Sequence, residues 1–128
     1  MKLVLEPVGI LHCSIKDQKE APNFYTISDI KGTIEVFEKY SEGLCGLEKY
    51  EKIVVIFHFH KAQGYNLLQK RKGVGPLRGV FSLCSPFRPN PLGMSVLTLE
   101  KVEGNLLYVK NIDMLDGTPI LDIKPYKS

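Results

Sequence analysis

Several features are scarce or missing in this chain of 128 residues, and each absence excludes a class of protein. No apolar run is long enough to span a bilayer, and the amino-terminal residues lack the pattern of a signal peptide. Only three cysteines occur, and their spacing matches no paired-cysteine motif, so we expect reduced thiols rather than a disulfide framework: Cys13, Cys45 and Cys84. These absences predict a soluble, cytoplasmic protein, and the length predicts a single domain with a real core.

The common nucleotide-binding motifs are also absent. No GxGxxG follows a predicted strand and no GxxxxGKS occurs, which argues against a Rossmann-type site and against a P-loop. His58 and His60 lie two residues apart on a predicted strand and would face the same side, where Cys84 or Asp116 could join them around a metal. No second pair of ligands has suitable spacing, so we expect no metal site.

Acidic residues are missing from positions 61–99, although six cations occur there: Lys61, Lys70, Arg71, Lys72, Arg78 and Arg88. The rest of the chain has eleven Lys and Arg against fourteen Asp and Glu, so the small net charge of +3 hides an asymmetry. Such a block is either a solvated face or a surface for a polyanion such as RNA. The charge pattern alone leaves both interpretations open.

Hydrophobic patterning predicts six or seven short strands and little helix. The run over residues 53–60 is unbroken and predicts a strand that is buried on both faces. The other predicted elements are strands at 3–12, 32–37, 78–83, 95–102, 106–112 and 120–123, short helices near 40–47 and 65–71, loops at 17–23 and 72–76, and turns at 103–105 and 116–119. This pattern predicts a mainly β, antiparallel or mixed β-barrel formed as one domain by residues 1–128.

A proline-rich stretch in the basic region is rigid by composition. Each proline fixes its own φ and pushes the preceding residue out of the helical region. The stretch, called the proline loop below, reads Ser85-Pro86-Phe87-Arg88-Pro89-Asn90-Pro91-Leu92-Gly93. It is predicted to be an extended loop that holds Arg88 and Asn90 in set directions. The alternative is a stiff connector between two strands.

Three further residues carry possible chemistry. Asp122 lies in a short apolar run, so its carboxylate needs solvent or a partner such as Arg88 or Lys124. Tyr126 follows a lysine and a proline and is a candidate for proton transfer. Cys84 precedes the proline loop and is a nucleophile only if a base and positive charge lie beside it.

The motifs together resemble the TsaA/TrmO-type family over nearly the whole chain. They are Glu6-Pro7-Val8-Gly9-Ile10, His58-Phe59-His60, Gly79-Val80-Phe81, the proline loop, Glu103-Gly104-Asn105, and the stretch from Leu115-Asp116-Gly117-Thr118 to Lys124-Pro125-Tyr126. The resemblance implies a non-Rossmann, β-barrel methyltransferase that uses S-adenosyl-L-methionine and works as a homodimer. It also implies N6-methylation of N6-threonylcarbamoyladenosine at position 37 of tRNA. We further expect the chain to lack the extra carboxy-terminal domain of many bacterial members.

The resemblance also implies site residues. Arg88, Asp122 and Tyr126 are the catalytic candidates, with Asp122 or Tyr126 accepting a proton and Arg88 holding a phosphate or the cofactor carboxylate. The cofactor candidates are Ala21, Pro22, Asn23, His60, Lys61, Cys84, Met94, Leu115, Asp116, Gly117 and Thr118. The candidates for contacting tRNA are Lys70, Arg71, Arg78 and Asn90.

Two departures from the family pattern keep alternatives open. Leu83-Cys84 stands where most members have threonine and arginine, and Pro22-Asn23-Phe24 stands where the usual sequence is Pro-Arg-Gln. Both changes remove a cation from the implied pocket. One alternative is therefore a divergent member that binds S-adenosyl-L-methionine or another small ligand without this tRNA activity. The other is a β-barrel RNA-binding module without chemistry.

Overall fold

Short runs rich in β-branched and aliphatic residues form eight strands in the computed structural model, which describes residues 1–17, 20–22 and 27–127. The strands are β1 (Gly9–Cys13), β2 (Lys31–Val36), β3 (Lys52–His58), β4 (Leu68–Arg71), β5 (Val74–Gly79), β6 (Leu92–Glu103), β7 (Leu106–Lys110) and β8 (Pro119–Pro125). The helical segments within these residues are short 3₁₀ turns at Glu38–Leu44, Leu47–Lys49 and Val80–Ser82. None of them is long and apolar enough to cross a membrane.

Six strands close into a barrel in the order β1-β2-β7-β6-β3-β8, with every pair antiparallel. Alternate residues of each strand point inward and form one apolar core, because side chains in a strand alternate between its two faces. The core residues contributed by these strands include Leu11, Ile34, Val36, Ile53, Val55, Phe57, Leu97, Leu107, Val109 and Ile120. The predicted mainly β barrel is confirmed.

Strand β3 lies between β6 and β8 and has two different faces. Ile53, Val55 and Phe57 are buried in the barrel, while the outward Val54 and Ile56 are only partly buried. The prediction of a strand buried on both faces is therefore wrong for the single chain, because the outer surface of the barrel is open.

The segment before the proline loop differs from the prediction. Residues 68–71 form strand β4 rather than helical turns, and 72–76 form a turn and the start of β5 rather than a loose connector. Lys72 and Gly73 have positive φ values of 51° and 75°, which reverse the chain into a two-stranded hairpin outside the barrel. The strand predicted at 78–83 ends at Gly79, and a 3₁₀ turn follows it.

Other elements also differ from their predicted boundaries. The first strand begins at Gly9 rather than at residue 3, and the helix near residues 40–47 is two 3₁₀ turns instead of an α-helix. The predicted turns at 103–105 and 116–119 are confirmed, with Gly104 and Gly117 at φ values of 61° and 82° that favour glycine.

The antiparallel order sorts the candidate residues between the two ends of the barrel. One end collects the end of β1, the end of β3, the start of β6 and the start of β8. The proline loop and the turn at 115–118 both lead into strands at this end. The opposite end carries the β6–β7 turn and the 3₁₀ turns that follow β2.

Candidate functional site

The proline loop is attached to the end of β3 by backbone contacts. The Phe59 amide donates a hydrogen bond of 2.8 Å to the Pro91 carbonyl. Gly93, in β6, pairs with Phe57, and a Cβ atom there would lie 2.3 Å from Phe57 Cζ and 2.8 Å from Phe59 Cζ. Only glycine fits beneath the two rings, so the loop reaches the barrel in a fixed position.

Arg88 braces the same loop from within. Its Nη1 donates to the Leu83 carbonyl at 2.8 Å and to the Ser85 carbonyl at 3.2 Å. Its backbone amide donates to the Pro86 carbonyl at 3.1 Å. These contacts use only one of the nitrogen atoms in a group with five N–H donors. The loop is therefore rigid through both its prolines and its arginine, and Asn90 projects from it with an exposed side chain.

The turn at 115–118 is held against β1 by paired backbone bonds. The Gly117 amide donates to the Leu11 carbonyl at 2.8 Å, and the Leu11 amide donates to the Thr118 carbonyl at 3.0 Å. Thr118 is buried, and its hydroxyl donates to the Leu115 carbonyl at 2.6 Å. The turn is thus built into the barrel rather than left as a free loop.

His60 lies next to this turn. A Cβ atom built on Gly117 would lie 4.0 Å from His60 Nε2, so the glycine leaves the imidazole edge uncovered by a side chain. Burial, reinforced by the charges of Lys61 and His58, lowers the pKa of His60. A lowered pKa keeps the imidazole neutral at neutral pH, which suits a site that receives a positively charged ligand.

The segment that follows β1 supplies a third wall. Ala21 packs against the core and Pro22 is partly buried, while Asn23 lies outside the described residues. Lys61 Nζ donates to the carbonyl of Lys16 at 3.3 Å, which brings the end of β3 to this segment. Three of the predicted cofactor segments, 21–22, 60–61 and 115–118, therefore converge at one end of the barrel.

Met94 and Cys84 are both exposed, Met94 to 56% of its surface. Met94 lies on the outer face of β6, directly across from Ile56. Cys84 lies between the 3₁₀ turn at 80–82 and the proline loop. Among the described residues, no cluster of three or more His, Cys, Asp or Glu side chains is placed to hold a metal ion.

Of the other two catalytic candidates, Asp122 lies on β8 and Tyr126 follows that strand. Asp122 is opposite Ile56, and its carboxylate accepts from Lys124 Nζ at 2.9 Å, so the partner is Lys124 rather than Arg88. The Tyr126 amide donates to the carbonyl of Lys52, at the start of β3. Six strand residues of about 3.4 Å each separate that point from His58, so Tyr126 lies roughly 20 Å from the end of β3 within one chain.

The tRNA candidates lie on the external hairpin. Lys70, Arg71 and Arg78 are exposed on β4 and β5. Gln69 Nε2 donates to the Phe87 carbonyl at 2.6 Å, which fastens the hairpin to the proline loop. The hairpin also exposes large apolar side chains: Leu67, Leu68, Val74 and Leu77. Sequence reasoning did not select Gln69, because its partner lies 18 residues away and no local pattern links them.

Two surface depressions form at the opposite end of the barrel. One, of about 370 Å³, is lined by residues of the 3₁₀ turns together with Ile123 and Pro125, and the other lies between Glu38 and the β6–β7 turn. Neither includes a cofactor candidate. Within one chain, the converging segments form an open surface beside the exposed Met94.

Comparison with known proteins identifies the family. The profile of the tRNA-methyltransferase O N-terminal domain matches residues 10–128. The chain belongs to this family. A probable S-adenosyl-L-methionine-binding protein of Pyrococcus abyssi is 42% identical over 98% of this chain and 69% of its own length. The tRNA (adenine(37)-N6)-methyltransferase of Mus musculus is 37% identical over 97% of this chain.

Structural comparison agrees with the family. A crystal structure of TrmO from Pseudomonas aeruginosa matches with a TM-score of 0.83 and 33% identity over 99% of this chain. The chain spans 57% of that solved chain and 31% of the mouse relative. The non-Rossmann barrel expected from the motifs is thus the fold of the family.

Proposed function

We propose that this protein transfers a methyl group from S-adenosyl-L-methionine to N6 of adenosine 37 in tRNA, where the adenosine carries N6-threonylcarbamoylation. The observation that carries the proposal is the convergence of segments 21–22, 60–61 and 115–118 beside a braced proline loop. Relatives named for S-adenosyl-L-methionine binding and for adenine-37 methylation support the same assignment.

The residues at this end of the barrel fit a sulfonium ligand. When bound, S-adenosyl-L-methionine supplies an electrophilic methyl group on a positively charged sulfur. The three prolines of the loop contribute no N–H groups, so the loop presents few donors that would repel a positively charged sulfur. The neutral His60 adds no repulsive charge, and the Arg88 guanidinium has further donors for a carboxylate. His60, Lys61, Met94 and the turn at 115–118 would hold the ligand.

Asp122 is the residue that accepts the proton. N6 would gain the methyl carbon as the bond from that carbon to the sulfonium sulfur breaks and leaves a neutral thioether. The proton on N6 must then leave, and a carboxylate within hydrogen-bond reach can take it. Asp122 is half-exposed on the same outer face as Met94. Ile56 of the intervening strand β3 pairs with both residues. Its partner Lys124 is also exposed and can move aside when substrate binds.

The external hairpin is the surface that contacts tRNA. Lys70, Arg71 and Arg78 project from it into solvent, and Asn90 is exposed on the adjoining loop. Contacts of cations with phosphates release bound counterions, so this binding should weaken steeply as salt concentration rises. The Gln69 contact with the Phe87 carbonyl sets the hairpin relative to the site.

The active form is a homodimer in the cytoplasm. The outer face of β3 and β6 exposes apolar residues where a solvated barrel carries polar ones, and Asp122 and Lys124 flank them: Val54, Ile56, Met94 and Val96. A patch that carries both an acid and a base is complementary to itself across a two-fold axis. A second copy would also bring its own Tyr126 toward the site, which the Tyr126 of the same chain does not reach.

The decisive experiment is nucleoside mass spectrometry of threonylcarbamoylated tRNA after incubation with the protein and S-adenosyl-L-methionine. The expected product is the N6-methylated nucleoside. Asp122→Asn should lower its rate by roughly 10²–10⁴-fold, the usual contribution of a positioned base. Glu100→Gln is the matched control, because Glu100 is also an exposed carboxylate paired with a lysine, Lys31.

Each alternative function gives a different result in this assay. A normal rate for a folded Asp122→Asn variant would remove Asp122 from the chemistry. Heat of binding with S-adenosyl-L-methionine but no product would indicate a divergent binder, as the changes at Cys84 and Asn23 allow. No heat of binding at all would leave an RNA-binding module.

A further inference from the structure

Lys16 lies at the point where the three cofactor segments meet, although nothing in the sequence singled it out. Its Nζ donates to Asp116 Oδ2 at 2.9 Å, which reaches the turn at 115–118. Its backbone amide donates to Glu20 Oε1 at 3.1 Å, beside Ala21. Its carbonyl accepts from Lys61 Nζ at 3.3 Å. One residue therefore contacts two of the segments directly and the residue that precedes the third.

Asp116 is committed to this junction by both carboxylate oxygens. Oδ1 accepts from the Cys13 amide at 2.9 Å while Oδ2 accepts from Lys16. The Asp116 amide donates to the Ile15 carbonyl at 2.7 Å. The hydrogen bond from Lys16, followed by that from the Cys13 amide, lowers the pKa of Asp116, so its carboxylate stays charged at neutral pH. Asp116 thus fastens the turn to the segment after β1 through both of its carboxylate oxygens.

We propose that Lys16 is a positioning residue that aligns the three segments for the methyl donor, and that Asp116 acts through it rather than by contacting the donor. The inference rests on the proposed function for the identity of the ligand. The side chain of Lys16 is 66% exposed, so its removal empties no core space and changes only the junction. The alignment matters because a displacement of about 1 Å in a binding residue can cost roughly 10²-fold in rate.

The test compares Lys16→Met with Lys16→Arg and with a matched control. Methionine keeps an apolar stem without the charge, whereas arginine can restore the contact with Asp116. The control is Lys101→Met, because Lys101 forms a similarly exposed ion pair with Glu103 at the opposite end of the barrel. For Lys16→Met we expect S-adenosyl-L-methionine to bind roughly tenfold more weakly, with KM raised more than kcat is lowered. Lys16→Arg should recover most of the affinity, and Lys101→Met should bind as the wild type does.

A second measurement requires no ligand. Amide hydrogen exchange at Cys13 should become faster in Lys16→Met, because the Asp116 carboxylate that accepts from this amide loses its lysine partner. Exchange at Asp116, whose amide donates to the Ile15 carbonyl, should become faster as the turn loosens, and both amides should be unchanged in Lys101→Met. Lys16→Met and Asp116→Asn break the same ion pair. The double variant should therefore lose no more affinity for S-adenosyl-L-methionine than the more harmful of the two single variants.

The outcomes separate this inference from the proposed function. If the wild type binds no S-adenosyl-L-methionine, the proposed function fails, while faster exchange in Lys16→Met still supports the junction. Unchanged exchange, wild-type affinity in Lys16→Met, or no recovery in Lys16→Arg would overturn the role of Lys16. A melting temperature for Lys16→Met far below that of Lys101→Met would overturn it as well, because the residue would then stabilise the whole fold.

Discussion

The outer surface of the barrel divides into two halves of opposite character. Across β1, β2 and β7 the outward positions are mainly polar or charged, and they include His12, Thr33, Glu35, Tyr108 and Lys110. His12 and Glu35 contact each other there at 2.9 Å. Across β3 and β6 the corresponding positions are mainly apolar, and they include Val54, Ile56, Met94 and Val96.

This difference shows what each half is adapted to contact. Antiparallel sheets that face water on one side carry polar residues on that side, and the first half follows this rule. The second half departs from it, and Met94 of this half lies one strand away from Asp122 of β8. We therefore expect that the strands of the first half are stabilised by contacts of their inner faces alone. Contacts of both the inner and the outer face should stabilise β3 and β6.

The largest effect is expected from a charge on the apolar half. Ile56→Glu should convert the proposed homodimer into a monomer, because an unpaired charge in an apolar interface costs about 3–5 kcal/mol, which weakens association by roughly 100-fold or more. Light scattering measures the mass, and tRNA methylation should fall in parallel. Thr33→Glu places the same charge on the polar half and should leave the mass unchanged. A dimer that survives Ile56→Glu would show that the apolar surface is not the interface.

A smaller effect is expected where the proline loop joins the apolar half. Gly93→Ala places a methyl group against the rings of Phe57 and Phe59, and overpacking of this kind lowers the free energy of unfolding by about 1–3 kcal/mol. Chemical denaturation measures the change. Gly43→Ala is the control, because a Cβ atom there meets nothing within 4 Å. Equal stability of the two variants would mean that the loop adjusts freely and is not held by this contact.

The smallest effect is expected on the polar half. His12→Ala removes an exposed contact with Glu35, in which both side chains are about half exposed. Exposed pairs of this kind contribute less than about 1 kcal/mol, so the free energy of unfolding and the oligomeric mass should hardly change. Denaturation and light scattering on the same sample test both points. A change in oligomeric mass would show that the polar half takes part in the interface, which contradicts an interface on the apolar half.

Local patterns predicted much of the architecture. The β6–β7 turn and the turn before β8 were predicted because Gly104 and Gly117 mark positions that require positive φ. The proline loop was predicted to be extended and rigid for a similar reason, since each proline restricts its own backbone and that of its neighbour. These features depend on a few adjacent residues, and such information is present in the sequence itself.

The hairpin of β4 and β5 was missed because its local signals point elsewhere. Residues 65–71 mix polar and apolar side chains without strict alternation, and Pro76 in β5 argues against a strand. The pairing forms through a turn at Lys72 and Gly73 and through the contact of Gln69 with the proline loop. Neither the turn nor the contact of Gln69 produces a hydrophobic pattern within β4 or β5.

Local residue patterns were enough to identify the kind of protein: a mainly β barrel with a rigid proline loop, a basic middle region and the motifs of one family. The tertiary structure alone decided which segments share a site, since Lys16 and Asp116 lie 100 residues apart and meet only when β1 pairs with β8. It also decided which face of β3 is buried, because an unbroken apolar run is compatible with burial on either side. Local chemistry is encoded along the chain, whereas convergence and burial depend on the closure of the barrel.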